Sequence, residues 1–117
     1  MELIKLIEAR KVLDGFADKN GISASLAYKM TKFIAKTEDE HAFYAAELNK
    51  LVNTYSAKDD DGNVIIPQEH IAEFNAAVNN IGHTSVEDPG IRFDLNELSE
   101  LDLSMKQMYP LLDFINE

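Results

Sequence analysis

Between Gly21 and Gly62 the chain contains neither glycine nor proline, and one set of positions stays in phase through most of that stretch. Ser23, Ala27, Met30, Ile34, Thr37, His41, Tyr44, Leu48, Leu51 and Tyr55 follow alternating steps of four and three residues. This spacing places them on one edge of a helix, as in a coiled-coil seam, and predicts an unbroken rod from Ser23 to Tyr55 of about 50 Å. Thr37 and Glu40 also have the spacing of a capping box, which would break the rod there. The undisturbed phase favours continuity, because a restarted helix usually shifts its register.

The flanking segments read as shorter elements. Leu3, Leu6, Ile7, Leu13, Phe16 and Ala17 share one face of a first helix running from about Glu2 to Lys19, which Asn20-Gly21 ends. Ser23 is the expected N-cap of the next helix. Asp59-Asp60-Asp61-Gly62-Asn63 is a strong turn signal and leads into the β-branched run Val64-Ile65-Ile66. Pro67 opens a third helix with Ile71, Phe74, Val78 and Ile81 on its apolar face and Gly82 at its end. Ile91, Phe93 and Leu95 alternate with Arg92 and Asp94, as in a half-buried strand. That segment is expected to pair with Val64–Ile66, with Thr84–Val86 as a third member. Asn96 is expected to cap a short turn through Leu101. Ser104 with Gln107 should open a last helix that Pro110 bends or breaks.

The predicted architecture is a predominantly helical α+β fold in a single domain, residues 1–117. It consists of an antiparallel helical hairpin with one long helix, a small β-sheet and further short helices. At 117 residues and 45% hydrophobic composition, the chain suits one core and is too short for two.

Charge narrows the function classes. Twenty-one acids against 11 bases leave a net charge of -10, whose field repels a polyanion before contact, so direct nucleic-acid binding is not expected. Residues 1–36 hold seven bases and four acids, whereas Asp59 to the end holds 13 acids with only Arg92 and Lys106 as bases. The second half is thus read as an acidic pole that could orient a partner. With no cysteine, thiolate chemistry and disulfides are excluded. The charged N-terminal residues fit neither a signal peptide nor a membrane span.

No chemical motif stands out. Aligning Gly62 with the sixth position of an EF-hand loop puts Ala57 first and Gln68 twelfth, where carboxylates are required, so the acidic run reads as a solvated turn. His70 and Glu73 lie one turn apart, but no second histidine completes a metal motif. His41 falls on the seam, where a core or interface histidine is expected. Lys29, Lys32 and Lys36 share a helical face that reads as solvated. No phosphate loop, dinucleotide fingerprint or nucleophile elbow is present, and neither a catalytic site, a cofactor nor a metal is expected.

The runs Ala27-Tyr28-Lys29-Met30, Ile34-Ala35-Lys36, Glu47-Leu48-Asn49-Lys50-Leu51, Tyr55 and Lys58-Asp59-Asp60-Asp61-Gly62-Asn63 resemble those of a family of small phage and prophage proteins, a domain of unknown function. Ile91-Arg92-Phe93-Asp94-Leu95 and the closing Leu112-Asp113-Phe114-Ile115 extend the likeness over nearly the whole chain. The resemblance implies a phage origin and a setting in the host cytoplasm, and it supplies no catalytic residue. The expected function is a non-enzymatic accessory factor that binds a host or phage protein, as an acidic, DNA-mimic-like inhibitor of a host or defence protein. Asp59, Asp60, Asp61, Glu69, Glu73, Glu87 and Asp88 are the expected contacts. The alternative is a virion assembly chaperone or connector, self-associating along the long helix through Ile34, Tyr44, Leu48 and Leu51.

Overall fold

The computed structural model describes residues 1–116, and its buried side chains come from both ends of the chain rather than from the middle. Helix α1 spans Leu3–Asp14 and buries Leu3, Leu6, Ala9 and Leu13, the three- and four-step positions of its inner face. Helix α2, Ala24–Lys36, buries Leu26, Met30 and Phe33, and Ser23 caps it by accepting from the Leu26 N–H at 3.2 Å. Ile91, Phe93, Leu98, Leu101, Leu111 and Phe114 complete the same cluster from the C-terminal segment. At its centre the Phe33 ring meets Phe114 edge-on at 5.0 Å and lies 6.3 Å from Phe93.

The long rod is broken in two. Helix α3, Glu38–Tyr55, begins one residue after α2 ends, and Thr37 at the joint has φ -103° and ψ 8°. The Thr37 hydroxyl turns back to donate to Phe33 O at 2.8 Å, a bond that bends helices. Arg10 reaches across from α1 and donates to Ile34 O at 2.6 Å, the carbonyl a continuous helix would offer to the Glu38 N–H. It also bonds the Thr37 hydroxyl at 3.0 Å and Glu38 at 2.6 Å. No Thr37 side-chain cap forms, so the break is made by a guanidinium from a distant element rather than by a local capping box. The phase survives because the joint uses only one residue, yet the two halves of the seam face different partners. Met30 and Thr37 enter the main core, whereas Tyr44, Leu48, Leu51 and Tyr55 are half-buried and His41 is exposed.

Helix α3 packs mainly on α4, Ile71–Gly82, which a 3-10 turn over Gln68–His70 introduces after Pro67. Between them strands β1, Ala57–Lys58, and β2, Val64–Ile65, pair antiparallel around the acidic turn, with Ala57 opposite Ile65 and Lys58 opposite Val64. The expected partnership of Val64–Ile66 with Ile91–Leu95 is therefore not the one formed. Asp59 Oδ1 accepts from the N–H groups of Asp61 and Asn63, both at 2.9 Å, and Gly62 takes φ +82°. Such a turn closes a very short loop, and local closure costs far less entropy than bringing in a strand some thirty residues away. Phe93 instead makes one parallel bridge to Ile115, and Ser85 makes one antiparallel bridge to Glu2.

The C-terminal segment continues in short helices. Helix α5, Leu95–Leu98, is capped by Asp94 in a box with Glu97, not by Asn96. Helix α6, Met105–Met108, begins with the Ser104–Gln107 capping box, and at Pro110 the chain tightens into a 3-10 helix over Tyr109–Phe114. Helix α1 is also shorter than expected, giving way to turns after Asp14. Helices α3 and α4 with the hairpin, residues 38–82, form an arm on this core. It carries a single buried residue, Gly82, where an added Cβ would come within 3.1 Å of Ile4 Cβ. The molecule is correspondingly extended, 49 × 31 × 24 Å.

Candidate interaction surface

Tertiary pairing redistributes the charge seen along the sequence. The C-terminal carboxylates do not join the acidic turn in one pole; they fold back onto the basic N-terminal helices. Glu97 accepts from Lys29 Nζ at 2.6 Å and Ser25 Oγ at 3.0 Å, and Asp113 accepts from Lys5 Nζ at 3.0 Å. Glu100 accepts from the Ser23 N–H at 2.7 Å and its hydroxyl at 2.8 Å. Of the lysine stripe, Lys29 is taken by Glu97, while Lys32, 5.5 Å from the exposed Tyr28 ring centre, and Lys36, which donates to Pro89 O at 3.4 Å, stay exposed. The remaining concentration of charge is on the arm, where residues 38–82 hold nine acids and only Lys50 and Lys58 as bases.

The seven carboxylates proposed from sequence fall into two groups. Asp59, Asp60 and Asp61 sit in the hairpin turn, and Glu69 and Glu73 lie on the first turns leading into and along α4. Glu87 and Asp88 lie in the loop beyond the other end of α4, a helix about 18 Å long. Not all seven are free to meet a partner. Asp59 is spent on closing its own turn. Asp88 accepts from the Gly90 N–H at 2.8 Å and from Arg92 Nη1 at 3.0 Å, and the Arg92 guanidinium holds its carboxyl below the usual range. Asp60, Asp61, Glu69, Glu73 and Glu87 are exposed.

Glu87 and Asp88 instead share a cleft of about 270 Å³ with Lys36, Thr37 and Glu40, beneath the α2–α3 joint. A second, mainly apolar cleft of about 310 Å³ opens between the end of α1 and α2, lined by Phe16, Ile22, Met30 and Ile34 among others. Of the histidines, His70 lies 5.8 Å from the Tyr55 ring and His83 Nδ1 is 2.9 Å from Glu2 Oε1. Among the described residues no three His, Cys, Asp or Glu side chains come together in a way that could hold a metal ion. No helix among them is long and apolar enough to cross a membrane.

Sequence reasoning missed the apolar component of the arm. Phe43 on α3 is 46% exposed, and Val64 on β2 is 61% exposed. The β-branched run reads as a strand in sequence, and nothing local signals that both strands of its hairpin stay exposed.

No family model, curated protein or solved structure matches the chain.

Two partly exposed ion pairs, Lys29–Glu97 and Arg92–Asp88, are expected to make stability acid-sensitive. Hydrogen bonding from Lys29 holds the Glu97 carboxyl below its ordinary value, as Arg92 does for Asp88. Groups with lowered folded-state values add stability at pH above the ordinary carboxylate range, about 4, and lose it as pH falls through the lowered values. Urea unfolding at a series of pH values should therefore show stability declining below about pH 4.5, with a shallower decline in Glu97→Gln. An identical slope in that variant would show that the pair contributes nothing to acid sensitivity.

Proposed function

We propose that this chain is a non-enzymatic binding protein whose α3–α4 arm engages a basic protein partner. The observation that carries the reading is the arm itself: nine acids and two bases over residues 38–82, which contain one fully buried residue, with Phe43 and Val64 outward. Carboxylates fixed on a helical scaffold attract a cationic surface at long range, and apolar side chains among them supply short-range adhesion. A protein that ordinarily holds phosphates is a fitting target, which makes an inhibitor of a host or defence protein the preferred role. The phage setting and the host cytoplasm rest on the sequence resemblance alone. The contact set favoured by exposure is Asp60, Asp61, Glu69 and Glu73, with Val64 on the hairpin that carries the first two.

An affinity capture from infected-host lysate, with the partner identified by mass, tests this. The expected partner is basic, its capture falls steeply with salt, and the triple change Asp60→Asn, Asp61→Asn and Glu73→Gln weakens purified binding by about 10-fold, at exposed-pair strengths. Capture that ignores both salt and the triple variant would instead favour the assembly reading, a connector or chaperone using the half-covered apolar positions Tyr44, Leu48 and Leu51.

A further inference from the structure

The turn that joins α1 to α2 holds chemistry that the acidic arm does not use. The chain has three places where an aspartyl or asparaginyl residue precedes glycine: Asp14-Gly15, Asn20-Gly21 and Asp61-Gly62. Glycine has no Cβ, so its amide nitrogen can approach the preceding side-chain carbonyl closely enough to close a five-membered ring. Ring closure needs that nitrogen free of other bonds. The Gly15 N–H is held by Lys11 O at 3.3 Å and Val12 O at 3.2 Å, and the Gly62 N–H donates to Asp59 O at 3.0 Å. The Gly21 N–H has no hydrogen-bond partner among the described residues. Asn20 and Gly21 are both exposed, Gly21 takes φ +83°, and no heavy atom lies within 4 Å of where a Cβ on it would stand. The pair with the free nitrogen is also the one that offers an amide, and an uncharged amide accepts attack at neutral pH where a carboxylate resists it. The asparagines of α3 and α4 differ, because helical bonding occupies the amide that follows each of them.

We infer that Asn20 is a self-modification site, at which the folded chain converts its asparaginyl residue into aspartyl and isoaspartyl forms. The Gly21 nitrogen, after losing its proton to solvent, attacks Asn20 Cγ. A C–N bond forms, the Cγ–Nδ2 bond breaks, and the side-chain nitrogen leaves as ammonia, with a cyclic imide remaining. Water then opens the ring. Addition at Cγ gives aspartate, whereas addition at the main-chain carbonyl gives isoaspartate, whose chain runs on through Cγ. The sum is asparagine plus water giving the acid plus ammonia, with no change of oxidation state. Either product takes the net charge from -10 to -11. The isoaspartyl form also lengthens the link between the helices by one main-chain atom, just ahead of Ile22, which lines the apolar cleft, and Ser23, which caps α2. Both residues of the pair are exposed and supply nothing to the core, so the chain stays folded through the change.

Peptide mapping by mass spectrometry tests this, on the full folded chain aged at physiological temperature in heavy-oxygen water at mildly acidic, neutral and mildly alkaline pH. The expected result is a change at residue 20 that climbs with pH, places a labelled oxygen there and yields both acids, while isoelectric focusing shows a new species one charge more negative. Asn20→Gln, whose longer side chain would have to close a six-membered ring, should slow the change about 30-fold or more. That position is exposed, and an unchanged urea midpoint confirms that the variant folds. A residue 20 that stays unchanged overturns the inference, and a synthetic peptide of residues 16–23 that reacts under the same conditions would then place the protection in the fold. Isoaspartate forming as fast at Asp14 or Asp61 of the folded chain also overturns it, since the free Gly21 nitrogen would not be what selects the site. Residue 20 lies outside the 38–82 arm, so failure here leaves binding of a basic protein by the arm intact.

Discussion

Replacing Phe33 with alanine lowers the free energy of unfolding by about 3–5 kcal/mol, the usual cost of removing a large aromatic side chain from a packed core. Phe33 has no exposed surface, and its ring meets Phe114 edge-on at 5.0 Å and lies tilted against Phe93 at 6.3 Å. Those two partners come from the last quarter of the chain. The void would therefore open where the N-terminal helices and the C-terminal segment meet, and neither side can close it alone. Against a total stability of about 5–15 kcal/mol for a domain, this is a large fraction. The shift in urea midpoint checks it. Phe43→Ala is the control: with 46% of the residue exposed on α3, its expected cost is below about 1 kcal/mol. Equal losses at the two positions would mean that the arm belongs to the core, contrary to the burial pattern.

Arg10→Ala is expected to cost about 2–3 kcal/mol, because a largely buried guanidinium that bonds a carbonyl and a hydroxyl contributes more than a surface charge. Its side chain is 12% exposed and spans the α2–α3 joint through Ile34 O, the Thr37 hydroxyl and Glu38. Most of the loss should come from the two internal contacts, since the Glu38 side chain is 61% exposed and its ion pair is screened by water. Glu38→Gln should then cost under about 1 kcal/mol. Arg10→Lys should recover only part of the loss, since an ammonium cannot fork to several acceptors in one plane. A local signature accompanies the global one: amides of α3 near the joint exchange faster in Arg10→Ala, while those of α1 change only with overall stability. If Glu38→Gln proved as damaging as Arg10→Ala, the surface ion pair, not the carbonyl contact, would hold the joint.

Much of the local structure is legible along the chain. Ser23 as a cap, the box of Ser104 with Gln107, the break at Pro110, the turn from Asp59 to Asn63 and the helix after Pro67 all depend on neighbouring residues. The predominantly helical α+β class follows from the same local signals. Two long-range outcomes are not legible. Arg10 lies 24 residues from the carbonyl it caps, and no spacing rule links a basic residue on one helix to the end of another. The charge map fails for the same reason: Glu97, Glu100 and Asp113 are acids like any others in sequence, and only folding back onto Lys29, Ser23 and Lys5 removes them from the acidic surface. Of the candidate contacts, Asp59 and Asp88 are engaged internally, while Phe43 and Val64, which were not among them, are exposed.

By itself, the order of residues determined the helix starts after Ser23, Pro67 and Ser104, the turn from Asp59 to Asn63, and that the molecule carries a large negative charge. Those properties arise from backbone sterics, capping and composition, all acting within a few residues. Tertiary structure alone decided that the helix breaks at Thr37 and that the surplus charge gathers on the arm. Each of these is a competition among partners distant in sequence, settled by which arrangement buries Phe33, Phe93 and Phe114 together while satisfying the polar groups that burial strands.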